Sequence, residues 1–264
     1  MQTKIDRTSV LGIPVSLINL VQAGEQISNW ANDSRNAYSV FVRDVASLML
    51  AVRQPELFEL HLAADLIVAD GMPLVWVAQA KGHGDKISRV PGADLVDTVC
   101  LLSVSSGQSH FFYGGKPGVA QRMAETLTRK YPGLKVAGIY CPPMLDIDPN
   151  FDLLAYCRED IEVIRASNAD FIWVGISSPK QEYWIAKAAQ AVGRGVFIGV
   201  GAAFDFHSGS IRRAPAWMRN NGLEWLHRLI SEPRRLWRRY LILAPLFVIA
   251  IVREKLTRVS ERTR

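Results

Sequence analysis

Leu66-Ile67-Val68-Ala69-Asp70-Gly71-Met72-Pro73 is the stretch on which the fold turns. Four apolar residues without polar alternation read as a short strand buried on both faces. Asp-Gly stops the strand, and a helix is expected over 74–81, with Pro73 where a helix tolerates a missing N–H. The same unit recurs in both directions along the chain. A strand at 38–42 ends on Arg43-Asp44 and is followed by helices at 45–53 and, restarted by Pro55, through 61. A strand at 110–113 runs into Gly114-Gly115-Lys116-Pro117-Gly118 and a helix to 130. A strand at 134–139 precedes a Pro-rich loop and a helix at 152–167. A strand at 171–174 leads into Gly175-Ile176-Ser177-Ser178-Pro179-Lys180 and a helix at 181–192, and a last strand at 196–200 stops at Gly201. Ahead of the series, 10–15 reads as a strand pair or edge strand and 20–30 as a helix. Apolar strands alternating with amphipathic helices give a doubly wound α/β domain around a mostly parallel sheet. Its ligands sit beyond the carboxyl ends of the strands.

Composition agrees with one substantial core. The chain has 264 residues, 49% apolar and 21% charged, which excludes general disorder. Its net charge of +6 is unevenly spread. Residues 212–264 hold 13 Lys and Arg against 4 Asp and Glu, and the preceding 211 residues are slightly acidic. In that basic tail arginines alternate with Trp217, Trp225 and Trp237, and the apolar run 241–252 follows. Arginine binds phosphate through a planar, always-charged fork, and Trp with Arg also suits a membrane surface. The run is 12 residues long and contains Pro245, too short to span a bilayer, which takes about 20. Cys100, Cys141 and Cys157 show no CxxC spacing and read as reduced thiols. The N-terminal residues 1–7 carry no signal-peptide core. The division this suggests is a catalytic core at 1–206 and a basic, apolar helical appendage at 207–264.

Candidate chemistry lies at the strand ends. Asp70 and Asp44 each read either as a helix N-cap or as a carboxylate for general-base work. Gly114 and Gly115 with Lys116, and Gly175 with Lys180, read either as tight turns or as backbone cradles for a diphosphate. Gly-Gly-Lys-Pro-Gly is neither GxGxxG nor a Walker loop. The Gln181 amide suits a sugar or base edge, whereas Glu182 favours the positive end of its helix. Gly201 and Asp205 end the last strand, and His207 reads as a packed histidine. No metal-binding motif is present, so no cofactor is expected. The charge of a diphosphate would then have to be met by Lys, Arg and helix dipoles.

These motifs in combination resemble the WecG/TagA/CpsF glycosyltransferases. They are Asp70-Gly71, Arg89-Val90-Pro91-Gly92-Ala93-Asp94, Tyr113-Gly114-Gly115 with Pro117-Gly118, Pro179-Lys180-Gln181-Glu182, Arg213-Ala214-Pro215, Glu224-Trp225-Leu226-His227-Arg228, and Glu232-Pro233 before arginines. The resemblance covers about 10–240. It implies a Rossmann-like core of the GT-E type. It also implies inverting, metal-independent transfer from a UDP-sugar to a polyprenyl-diphosphate-linked saccharide, in exopolysaccharide or cell-surface glycan synthesis. The site would be the cytoplasmic face of the bacterial inner membrane, with the appendage at 212–264 docking on the bilayer and completing the active site, and with self-association through the core allowed. The family's base falls on Asp70, its glutamine on Gln181 and its nucleotide-side aspartate on Asp205. Its appendage arginines fall on Arg228, Arg235 and Arg238, and Arg89 joins them on the acceptor and diphosphate side. Val42-Arg43-Asp44 stands where better-known members have Thr-x-Asn, which points to a hexose donor and leaves Asp44 to orient the acceptor or to replace the lost contact. The alternatives are a nucleotide-dependent oxidoreductase, for which the glycines do not fit, and a nucleic-acid or anionic-lipid binding module using the tail. The tail's aromatics suit a bilayer better than a groove, so no nucleic acid is expected.

Overall fold

Six parallel strands form the centre of the computed structural model, which describes residues 5–144 and 146–262. Residues 1–4 at the N-terminus, 145 in the Pro-rich loop, and 263–264 at the end of the basic tail lie outside these. The strands are β3 (Ala37–Arg43), β4 (Leu66–Ala69), β5 (Ser109–Gly114), β6 (Lys135–Tyr140), β7 (Phe171–Gly175) and β8 (Gly195–Gly199), in the order β4-β3-β8-β7-β5-β6. Each side chain of β4 and β8 is buried, as unbroken apolar runs require of strands covered on both faces. An antiparallel hairpin of β1 (Arg7–Val10) and β2 (Ile13–Ser16) stands apart from this sheet and packs beside β4.

Right-handed crossovers decide which face each helix covers. Connections running toward the β4 edge put α2 (Val45–Arg53), α3 (Pro55–Ala63), α8 (Arg158–Ser167) and α9 (Lys180–Val192) on one face. Those running the other way put α5 (Gly92–Ser106) and α6 (Val119–Lys130) on the opposite face, joined there by α1 (Leu20–Ala31) and α10 (Ala203–His207). The two hydrophobic clusters follow this division, Leu48, Leu57, Ile161 and Ile185 on one side and Ile27, Val96, Met123 and Phe204 on the other. Neighbouring strands β3 and β8 therefore send their chains to opposite faces, as do β5 and β7. Those reversals open the crevices where a doubly wound domain binds its ligands.

Two elements differ from the sequence reading. Helix α5 has no counterpart in the sequence reading, because its Val, Thr, Ser and Gly content is poor helix material. Yet Leu95, Val96, Val99, Cys100 and Ser103 are buried at helical spacing, the signal that identifies it. The helix expected over 152–167 is broken at Cys157 into α7 (Leu153–Tyr156) and α8, with the Asp152 carboxylate accepting the N–H groups of Leu154 and Ala155 to cap the first piece.

After β8 the chain is helical. It comprises α10, α11 (Ala216–Asn220), α12 (Glu224–Ser231), α13 (Pro233–Trp237), a π-helical segment (Arg238–Leu243) and α14 (Ala244–Arg262). Helix α10 straddles the boundary expected between 206 and 207. The apolar run 241–252 is two-faced. Phe247 is buried and Leu243, Ala244, Leu246 and Ile251 pack on the core, whereas Leu241, Ile242, Val248, Ile249 and Val252 are exposed. No helix of the described residues is long and apolar enough to cross a membrane.

Candidate active site at the carboxyl ends of the strands

Asp70 leaves β4 beside β3, its N–H bonded to the Arg43 carbonyl at 2.8 Å. The residue is half-buried. Burial pushes its carboxyl up to about 6, helped by the charges of Asp44 and Glu224 and opposed by Arg89 and Arg228. Helix α4 (Met72–Ala80), which follows, takes Gly71 as its N-cap residue and has no side-chain cap, so Asp70 does not serve as its cap. Asp44 is differently employed. Its Oδ1 accepts the Ser47 N–H at 2.9 Å and the Ser47 hydroxyl at 2.8 Å, capping α2. Its Oδ2 accepts Nε and Nη2 of Arg239 at 2.9 and 2.6 Å. Burial opposes the Asp44 charge, but Arg239 and the Ser47 bonds outweigh it and hold the carboxyl at about 2. Arg239 was not singled out in the sequence, because four arginines in one hexapeptide are indistinguishable until the π-helical segment fixes which one faces the core.

The appendage is held on the core by a chain of ion pairs built from the motif residues. Arg213 grips Asp94 at the start of α5 with both terminal nitrogens, the Nη2–Oδ2 bond measuring 2.9 Å. Its Nε donates to Glu224 of α12 at 3.1 Å, and the other Glu224 oxygen accepts Nη2 of Arg89 at 3.2 Å. Arg89 is thus committed to a tail glutamate in this state while remaining within electrostatic reach of Asp70.

The expected appendage arginines are placed unequally. Arg228 lies over the Phe206 ring at 5.5 Å, and its Nε is buried without a partner. Its charge acts on both Asp70 and Asp205. Arg235 is exposed and bonded to Glu232 at 2.6 Å, but still influences Asp205. Arg238 is exposed and lies on the Trp237 ring, outside this group.

The glycine turns pack closely. A side chain on Gly114 would meet the Gly175 backbone at 2.7 Å, and the Gly114 φ of 121° lies where only glycine is comfortable. The Gly115 N–H is spent on the Gly175 carbonyl at 2.9 Å, so this pair joins β5 to β7 at their ends. Lys116 is exposed at the turn, and Lys180 bonds Asp146 at 2.9 Å. Gln181 is buried beneath Gly199 and Gly201. Its Nε2 donates to Glu182 at 2.9 Å and its Oε1 has no partner, an acceptor left open at the end of β8. Asp205 in α10 is half-buried, and burial raises its carboxyl against the pull of Arg235.

Glu182 does more than favour a helix end. It is fully buried and paired with Arg43, itself 1% exposed, and also accepts the Ser178 hydroxyl at 2.9 Å. His61 lies against the same pair, and burial with the Arg43 charge holds its imidazole down at about 4. Among the described residues no group of His, Cys, Asp and Glu side chains is placed to hold a metal ion.

Among the described residues the arrangement brings together the carboxylates of Asp70 and Asp205, the Arg228 guanidinium, whose Nε has no partner, and the Gln181 amide, whose Oε1 has none. Comparison with known proteins bears on what that set does. The family model described as "Glycosyl transferase WecG/TagA/CpsF family" matches residues 8–261. A Bacillus spizizenii protein named N-acetylglucosaminyldiphosphoundecaprenol N-acetyl-beta-D-mannosaminyltransferase is 31% identical over 205 residues, 78% of this chain and 75% of that one. The chain is a glycosyltransferase and belongs to the WecG/TagA/CpsF family.

Proposed function

We propose that the enzyme transfers a sugar from its UDP derivative to a polyprenyl-diphosphate-linked saccharide, inverting the anomeric carbon, with Asp70 as the base. The observation that carries this is the Asp70 carboxylate, raised to about 6 and flanked by Arg89 and Arg228 at the mouth of the crevice. A base poised near the working pH is ionised yet still strong enough to accept a proton. Asp70 takes the proton of the acceptor hydroxyl, whose oxygen bonds to the anomeric carbon as the carbon–oxygen bond to UDP breaks. UDP departs with the bonding electrons. Arg228, whose Nε is unclaimed, meets the charge that develops on the leaving diphosphate. Gln181 and Asp205 face the donor, and Lys116 and the Gly114–Gly175 turns lie on the same side. No resident metal is required in this scheme.

The relative's name supports N-acetylmannosamine as the sugar and N-acetylglucosaminyl diphosphoundecaprenol as the acceptor. The Val42-Arg43-Asp44 departure supports a different, hexose donor. The exposed Trp217, Trp225 and Trp237 and the outward side of α14 support monotopic attachment to the membrane that carries the acceptor. A UDP-release screen tests the reading, using UDP-N-acetylmannosamine, its uronic acid, UDP-glucose and UDP-galactose with a polyprenyl-diphosphate N-acetylglucosamine acceptor. Acceptor-dependent release with one donor is expected, and release with none from folded enzyme would overturn it.

A further inference from the structure

We propose that Arg239 is a positioning residue for the transfer step: paired with Asp44, it neutralises the second carboxylate beside Asp70 and leaves Asp70 as the one free carboxylate over the end of β4. This rests on the reading of Asp70 as the base. The geometry is specific. Both oxygens of Asp44 are filled, Oδ1 by Ser47 of its own helix and Oδ2 by Arg239, which lies 195 residues further along the chain. A carboxylate so saturated has no lone pair to spare for a substrate proton. Its second partner exists only while the appendage is seated, because Arg239 belongs to the π-helical segment, held down on one side by buried Leu236 and on the other by Leu243 and Phe247.

The groups facing Asp70 come from every element around it. Asp44 heads α2, Arg89 precedes α5, Glu224 and Arg228 belong to α12, and Arg239 and Tyr240 belong to the π-helical segment. Asp44 and Glu224 oppose the Asp70 charge, and the three arginines favour it. Removing Arg239 leaves a bare Asp44 against Asp70. Removing the Asp44 charge leaves Arg239 without its counter-ion, and its positive charge then acts on Asp70 unopposed. Asparagine at 44 is therefore no silent replacement in this chain. Arg239 is the electrostatic complement of Asp44.

The test uses the full chain labelled with [13C]aspartate at the side-chain carboxyl and titrated by NMR. The resonance missing from Asp70→Asn identifies Asp70. Arg239→Gln is expected to raise the Asp70 midpoint by on the order of one pH unit, and Asp44→Asn to lower it by on the order of one, the range that a nearby charge produces. The double variant Asp44→Asn/Arg239→Gln is expected to return close to wild type. If both single variants move the midpoint the same way, toward an ordinary aspartate, the pair merely holds the appendage down and the proposal is overturned. Unmoved midpoints overturn it as well. With a donor from the screen, the acid limb of kcat/KM follows the same order. The substrate-free titration separates the two failures, since a screen without turnover removes the reading of the reaction and leaves the charge coupling to be read directly.

Discussion

At neutral pH a carboxyl raised to about 6 is ionised against its surroundings, so the Asp70 charge that the proposed proton abstraction needs weakens the fold. The folded value lies above the ordinary 3.8, so the native protein binds more protons than the unfolded chain between the two. Stability from this group falls as pH rises from about 4 through about 6 and stays lost above that. The full shift corresponds to about 3 kcal/mol, which solvent at the half-buried position reduces to about 1–2 kcal/mol. Asp70→Asn is expected to raise the melting temperature at pH 7.5 by a few degrees, with the gain vanishing near pH 4. Scanning calorimetry at both pH values checks this. The same variant is expected to lose about 10²–10⁴-fold in turnover. Asp44 runs the other way: held at about 2, it contributes stability above the ordinary carboxylate range that is lost as pH falls through about 2. Asp70 was legible in the sequence because an acid ending an apolar strand must stand at the crevice. The division of labour between Asp70 and Asp44 was not, since each ends an apolar strand ahead of a helix, and only the structure shows Asp44 spent on Ser47 and Arg239.

At the scale of elements, the Arg43–Glu182 pair ties the end of β3 to the first turn of α9 through a contact 139 residues apart in sequence. Both side chains are removed from water, so loss of either partner strands a charge, at a cost of about 3–5 kcal/mol. Glu182→Leu is therefore expected to lower the urea midpoint sharply, and Arg43→Met/Glu182→Leu to regain much of the loss. Equal losses in single and double variants would show that the pair contributes packing alone. The strands and most helices could be read from hydrophobic period and punctuation, which are local. Glu182 could not, because its local reading as a helix-start acid is complete without Arg43, and only the sheet order β4-β3-β8-β7 brings them together. The same holds for Arg89 and Asp94, whose shared hexapeptide gives no sign that Glu224 and Arg213 are the partners.

For the whole molecule, the apolar surface is concentrated where the appendage faces outward. Val248 and Val252 are 59% and 52% exposed, while Phe247 on the other side of the same helix is 3% exposed. Val248→Asp/Val252→Asp is expected to reduce co-sedimentation with vesicles containing anionic lipid by about tenfold or more, since each substitution exchanges favourable apolar burial for a charge repelled by the surface. An unchanged melting temperature would confirm that the core side is undisturbed, and undiminished sedimentation would move the contact to Trp217, Trp225 and Trp237. The sequence announced this surface by composition but not its two-sidedness, because the run 241–252 is apolar all round. That two-sidedness sets a height. Helix α14 is fastened to the core by Phe247 and by Lys81 bonded to Glu254, so the proposed lipid contact on its exposed side would fix how far Asp70 stands above the headgroups. On the proposed membrane attachment, a crevice held at constant altitude would meet acceptor hydroxyls at one distance from the headgroups, where an enzyme on a flexible tether would meet them at many.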